Sequence, residues 1–245
     1  MDIVTQSLLA YWQQHHSQGG GKRLPTAALV FWAPLDTWST TAASGHTLTY
    51  KGTSSTAIAP TETTYKGVKC CEFAANSYWR AVTSVKEERG AYAGTLSFWM
   101  APKQALTTSY AMGGPVACKN NDTGLYGYGI YKSSSPARFR VGARASSAYN
   151  TYDDTPNSTK WHHYLITLEC AAGWTSTARH ITAWVDGEQK KDNTTNVANY
   201  GLTRTFIGNP NETNNALYIA GVRLYNRILT ADEIAALAEE YEPTT

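Results

Sequence analysis

The sequence predicts an all-β protein built as one large antiparallel sandwich, and three observations carry that expectation. At 245 residues the chain has a size that a β sandwich still reaches as a single domain. Charged residues make up only 16%, while 16 Tyr, 8 Trp and many Thr, Ser, Asn and Gly suit strands and loops. Third, residues 161–187 read as two strands and a turn. Tyr164, Ile166, Leu168 and Cys170 share one face by the two-residue period of a strand, as do Ile181, Ala183 and Val185. Asp186-Gly187 then supplies the positive φ angles of a tight reversal between Val185 and Glu188.

Further on, residues 218–234 run as Tyr218-Ile219-Ala220-Gly221-Val222-Arg223-Leu224-Tyr225-Asn226-Arg227-Ile228-Leu229-Thr230-Ala231-Asp232-Glu233-Ile234, a strand entering a short helix. The order Trp161-His162-His163, alternating strand, strand ending in Val185-Asp186-Gly187, then this run, resembles the laminin G-like domains of the concanavalin A-like lectin and glucanase superfamily. Ala28 to Asp36, Gly67 to Phe73 and Thr95 to Met100 are similar to the family's first three strands, so the resemblance covers residues 27–240. It implies a jelly-roll sandwich of two antiparallel sheets and a binding rather than a catalytic role. It is specific for fold and weak for ligand.

Taken in order, the chain divides into an N-terminal segment, residues 1–24, and the jelly-roll domain, residues 25–245. Val4, Leu8, Tyr11 and His15 recur at helical spacing with Trp12 beside them, which predicts an amphipathic helix from Asp2 to His16. Ser17 to Arg23 follows as a Gly-rich tether. A lone helix of this length is marginal in water, so its apolar stripe needs a partner. That partner is either the helix's own domain or another subunit, with Val4, Leu8, Tyr11 and Trp12 as the oligomerisation contacts.

Thr37 to Thr64 reads as a long loop with a short strand at His46 to Tyr50, and Ser77 to Val85 as a continuation of the second strand region. Glu87 to Gly90 is a charged turn. Leu96, Phe98 and Met100 form a core stripe that leaves Trp99 on the opposite face. Gly124 to Tyr131 and Ala137 to Gly142 are two more strands, joined across Ser133 to Pro136. Thr230 with Glu233 three residues on is a capping box opening a helix over Ala231 to Tyr241, with Ile234, Leu237 and Tyr241 as its buried stripe.

A net charge of +2 without a basic run beyond Lys22-Arg23 gives no footprint for nucleic acid. No window holds the eighteen or so apolar residues of a membrane span, and the N-terminus has neither a basic leader nor a long apolar core. As written the chain is not expected to be exported by a signal peptide. The four Asn-x-Ser/Thr sites, at Asn121, Asn157, Asn193 and Asn211, then read as loop composition. Cys70 and Cys71 are strand neighbours pointing to opposite faces, so a bond between them would be strained. Cys118 or Cys170 could pair with one of them in space, but reduced, packed thiols are the plainer reading.

For catalysis, the superfamily's retaining glucanases use a Glu-x-Asp-x-x-Glu strand, and this chain has no Glu-x-Asp. Its adjacent carboxylates, Glu87-Glu88, Asp153-Asp154 and Glu239-Glu240, fall in turns or on a helix, and the expectation is no enzyme. His162 and His163 face opposite ways and cannot readily chelate one ion; one imidazole is expected to pack near Trp161. Many relatives hold calcium at the sandwich rim, but where the family usually carries acidic residues this chain has Ala220 and Gly221, so no cofactor is expected. Asn121-Asp122 and Asp153-Asp154 could offer oxygen ligands from loops, or simply make turns.

Surplus aromatics supply the binding expectation. Trp99 and Trp184 oppose the core stripes, Tyr126 and Tyr128 share one face, and Asp153 and Asp154 could hydrogen-bond sugar hydroxyls; plain packing is the alternative for each ring. The chain is therefore expected to be a lectin-like recognition module for a surface glycan or glycoprotein. The tether and domain type suggest a phage virion surface, as a head or tail fibre subunit that is homo-oligomeric through its N-terminal helix and contacts other virion proteins. The alternatives are a structural virion component, or a bacterial extracellular or cell-surface adhesion module.

Overall fold

The computed structural model describes residues 24–83, 92–104, 115–119, 127–134, 137–145, 148–154, 159–170, 178–196, 204–209, 216–241 and 243. The expected N-terminal helix and tether, with Val4, Leu8, Tyr11 and Trp12, lie outside the described residues, as do the charged turn at Glu87 to Gly90 and Tyr126. What is described is a sandwich of two antiparallel sheets and a short helix, the jelly-roll architecture expected.

The eight-stranded sheet runs β13 (Glu188–Asn196), β12 (Ala178–Val185), β11 (His162–Cys170), β6 (Tyr92–Pro102), β15 (Leu217–Tyr225), β4 (Val68–Phe73), β3 (Thr61–Tyr65), with β1 (Leu29–Ala33) also paired to β15. The seven-stranded sheet runs β10 (Ala148–Asp154), β9 (Ala137–Ala145), β8 (Gly127–Ser134), β7 (Val116–Lys119), β14 (Arg204–Gly208), β5 (Tyr78–Val82), β2 (Thr49–Tyr50).

The expected stripes meet between the sheets. Tyr164 and Ile166 of β11 stand opposite Phe98 and Leu96 of β6, with the Phe98 and Tyr164 rings stacked at 5.6 Å. Met100, Ile181, Ala183, Val185, Val222 and Leu224 complete that side of the core. Trp79, Val116, Ile130, Phe139, Val141 and Ile207 come from the other sheet. Val185 and Glu188 close the β12–β13 hairpin over Asp186 (φ 52) and Gly187 (φ 77), the reversal that the Asp-Gly pair predicts. Cys71 lies in the main core while Cys70 lies in an aromatic cluster on the outer face, as strand alternation requires. Cys70, Cys71 and Cys118 are buried thiols, and burial pushes Cys70 and Cys71 up to about 12.

Two expectations about this region are corrected. Ser77 to Val85 does not continue the strand that holds Cys70 and Cys71: the chain crosses between sheets at Ala74–Ser77, Asn76 taking φ 63, and Tyr78 to Val82 pairs in the seven-stranded sheet. Asp153 and Asp154 lie not in a loop but at the end of the edge strand β10, paired with Arg140 and Phe139.

On the outer side of the eight-stranded sheet the helix α1 (Ala231–Ala238) opens on the expected capping box. The Thr230 hydroxyl accepts from Glu233 N–H at 3.3 Å, and Glu233 Oε2 accepts from Thr230 N–H at 2.9 Å. The helix ends three residues before the expected Tyr241, where Glu239 is the C-cap. The change of course brings Glu240 over the sheet. Its carboxylate grips the Arg223 guanidinium in two bonds of 2.6 and 2.5 Å, with neither side chain exposed beyond 1%. Burial alone lowers the Arg223 pKa; the Glu240 carboxylate outweighs that, and the group is held above its usual range.

A single truncation should therefore uncover a buried charge. Arg223→Ala or Glu240→Ala should cost about 3–5 kcal/mol in urea unfolding, whereas Arg223→Met combined with Glu240→Leu should cost much less than the sum. Full additivity of the two single changes would show that the ion pair does not couple them.

Candidate functional site

Among the described residues, the rings singled out as ligand contacts are divided between the two sheets. Trp99 does lie opposite the core stripe, but it is only 4% exposed: its Nε1–H donates to Leu237 O at 3.1 Å and Tyr241 meets its ring at 5.7 Å. The segment that follows α1 covers it, so it offers no face to a sugar. Trp184 is half-buried beside Leu165, Leu229 and Ile234, with Nε1–H donating to Thr182 Oγ1 at 2.9 Å. Tyr128 belongs to the other sheet, where its backbone stands opposite Cys118 and Ala143, both core residues. Asp153 and Asp154 sit three strands away from β7, at the sheet edge.

The two histidines separate as expected, though their partners differ from expectation. His162 Nδ1–H donates to Asp186 Oδ2 at 2.7 Å on the surface. His163 is fully buried against Trp99, at 5.4 Å, rather than against Trp161, and shares a 2.9 Å hydrogen bond with Ser97 Oγ. Burial pushes the His163 imidazole down to about 3; Arg223 adds to that and Asp186 opposes it. Burial would raise the Asp186 carboxyl, but hydrogen bonds from the His162 ring and the His163 N–H hold it below its usual range. Asp186 bonds the backbone of His163 and not its ring, so Ser97, His163 and Asp186 are no relay. No cluster of three or more His, Cys, Asp or Glu side chains suited to a metal occurs among the described residues. Ala220 and Gly221 are buried at an irregularity of β15.

Sequence reasoning missed the outer face of the seven-stranded sheet. Register assembles it in rows. Ala81, Thr205, Cys118 and Ala143 form a buried row facing the core, so the residues on either side of each face outward. One outward row carries Arg80, Phe206, Ala117, Gly129 and Gly142; the next carries Val82, Arg204, Lys119 and Gly127. Tyr78 and Phe206 stack at 5.3 Å. Lys119 Nζ lies 4.8 Å from the Phe206 ring centre and 5.8 Å from that of Tyr78, and donates to the Tyr78 hydroxyl at 3.2 Å. Arg80, Lys119 and Arg204 are half-buried, and Val82, at 52% exposure, is the exposed large hydrophobic among the described residues. A Cβ at Gly129 would lie 2.5 Å from Ala117 Cα, so that position takes no side chain, and Phe206, Ala117, Gly129 and Gly142 of this row are all buried. The alternation of Tyr78, Arg80 and Val82, and of Arg204 with Phe206, was the available sequence signal. Only the register joins the two.

A laminin G-type model described as the concanavalin A-like lectin/glucanases superfamily matches residues 75–235. No curated protein matches the chain by sequence. Among solved structures, domain 4 of a GH43 extracellular arabinanase from Geobacillus stearothermophilus, in complex with arabinotriose, superposes with TM-score 0.61 and 14% identity, covering 87% of this chain and all (100%) of that one. The receptor binding domain of botulinum neurotoxin D gives 0.60 and 12%, over 86% of this chain and 52% of that domain. Trypanosoma rangeli sialidase in complex with the inhibitor DANA gives 0.61 and 14%, over 96% of this chain but only 38% of the enzyme. At such identities the likeness is one of fold.

The buried imidazole sets a pH dependence. His163 binds its proton more weakly folded, at about 3, than unfolded, at 6.5, so its contribution is complete above pH 6.5 and is lost as pH falls toward 3. Urea unfolding between pH 4 and 7 should show stability falling with acid, and His163→Gln should flatten that slope. An unchanged slope would place the acid sensitivity elsewhere.

Proposed function

The chain belongs to the concanavalin A-like lectin/glucanases superfamily, and from that premise we propose that it is a non-catalytic module that binds a surface glycan or glycoprotein, displayed on a phage virion in a head or tail fibre. The observation that carries the reading is the outer face of the seven-stranded sheet. The long donor side chains of Arg80, Lys119 and Arg204, each half-buried, are held there on rigid strands beside the buried Tyr78–Phe206 pair. The half-buried donor side chains can hydrogen-bond ring hydroxyls, while the Tyr78 and Phe206 rings, both buried, position them from below. Two of the fold neighbours favour binding: one is the arabinanase domain in complex with arabinotriose, the other a receptor binding domain.

The absence of Glu-x-Asp from the sequence favours binding over hydrolysis, because retaining hydrolysis needs two carboxyl groups about 5 Å apart on one cleft. Display on a virion rests on the amphipathic pattern of Val4, Leu8, Tyr11 and Trp12, followed by the Gly-rich tether. Oligomerisation through that helix converts weak single sites into avid attachment.

The experiment compares the full chain with a version starting at Arg23, by mass in solution and by binding to a glycan array. The full chain should be oligomeric and the shortened one monomeric. Apparent glycan affinity should drop by about a hundredfold on shortening. Two monomers of equal affinity would overturn the display reading, and failure of both forms to retain any glycan would overturn the recognition reading.

A further inference from the structure

The strand β3 is outermost in the eight-stranded sheet and pairs with β4 alone, from Thr61 opposite Glu72 to Tyr65 opposite Val68, without a bulge. Lys66 (φ 46) and Gly67 (φ 81) join the two strands as the positive-φ pair of a type I′ turn, so Tyr65 and Val68 are a hydrogen-bonded pair. Alternation then makes Thr63 with Cys70, and Thr61 with Glu72, hydrogen-bonded pairs as well. Glu62 and Thr64 therefore direct their N–H and C=O groups away from β4. Among the described residues, no backbone group of another segment bonds to these four.

Sheet edges are ordinarily blunted by shortness, bulges, charge or a covering segment. The other edges here follow that rule. β2 has two residues, β13 bulges at Lys190 beside Lys191, β10 ends in Asp153 and Asp154, and Ser44 covers β1 by accepting from Trp32 N–H at 3.1 Å. β3 has none of these devices. Its one charge, Glu62, accepts from Trp38 N–H at 2.7 Å, and Thr61, Glu62 and Thr64 are exposed.

We propose that β3 joins two copies of this chain, paired antiparallel about a twofold axis at Thr63. The strand is complementary to itself in that register: Thr61 meets Tyr65 of the other copy, and Glu62 meets Thr64, so each carboxylate faces a hydroxyl and the four outward backbone groups of each copy find partners. An axis at Glu62 would set two carboxylates face to face, and one at Thr64 would run the pairing into the Lys66 turn. The axis stands perpendicular to the joined sheet, so both seven-stranded sheets lie on one side of it and present their outer faces in the same direction. So few hydrogen bonds hold free chains only weakly, and the edge is filled where copies are already tethered together at about millimolar effective concentration.

The test is disulfide capture in the full chain. Thr63 and its counterpart would form a non-hydrogen-bonded pair with Cα atoms about 4.5 Å apart, within disulfide range. Thr63→Cys, made with Cys70→Ala to remove the thiol opposite it, should link two copies on mild oxidation. Lys69→Cys with Cys70→Ala, an exposed thiol on β4, should not. Adding Thr64→Glu, which sets carboxylates opposite each other, should slow linking about tenfold. Without any added cysteine, the Glu62 amide should exchange with solvent about tenfold more slowly than in Thr64→Glu. Linking no faster than Lys69→Cys, or linking indifferent to Thr64→Glu, would overturn the pairing. A slow Glu62 amide without linking would assign the edge to another segment or peptide and overturn it too. Each of those failures leaves glycan recognition standing, because retention on glycans does not depend on this edge.

Discussion

The buried charge of Arg223 is the constraint on which the rest of the molecule turns. It sits on β15, every residue of which is buried, in the middle of the eight-stranded sheet. A lone guanidinium there would be prohibitive, so a carboxylate must be brought to it. Glu240 is the carboxylate, 17 residues on, and reaching Arg223 obliges the chain to run a helix back over the sheet it has just left. The capping box at Thr230 and the Arg227–Glu233 pair set the start of that helix. Hydrogen bonding to Arg227 holds the Glu233 carboxyl down to about 2, so this anchor stays charged well into acid.

That one pairing decides what the outer face of the eight-stranded sheet can do. Once the C-terminal segment lies there, Trp99, His163 and Leu165 are interior residues, and the apolar stripe of α1, with Ile234 and Leu237, has its partner. Tyr65 and Tyr218 stack at 4.0 Å with Trp161 beside them, filling the rest of that side. The aromatic surplus of the sequence is thereby spent on covering a sheet. Rings that look available for a ligand serve as cladding.

The legible part of the sequence was the part whose signals are local. The Asp186-Gly187 turn, the alternation around Phe98 and Tyr164, and the Thr230 capping box each need only a few adjacent residues, and each is found. The strands that escaped notice lack such signals. Thr61-Glu62-Thr63-Thr64-Tyr65 is an exposed edge strand without apolar alternation, and Arg204-Thr205-Phe206-Ile207-Gly208 is too short to show a period. Strand parity correctly put Trp99 opposite the core, but parity cannot say whether a distant helix covers the far face. Likewise nothing local couples Arg204 to Lys119 or Arg80; three strands that are not neighbours in the chain bring them together.

The two sheets thus divide the work by charge. The eight-stranded sheet buries its outward-facing arginine with a carboxylate from its own chain, which makes that face a closed structural unit. On the seven-stranded sheet Arg204 and Lys119 face each other, with an aromatic pair and a lysine–tyrosine hydrogen bond to position one of them.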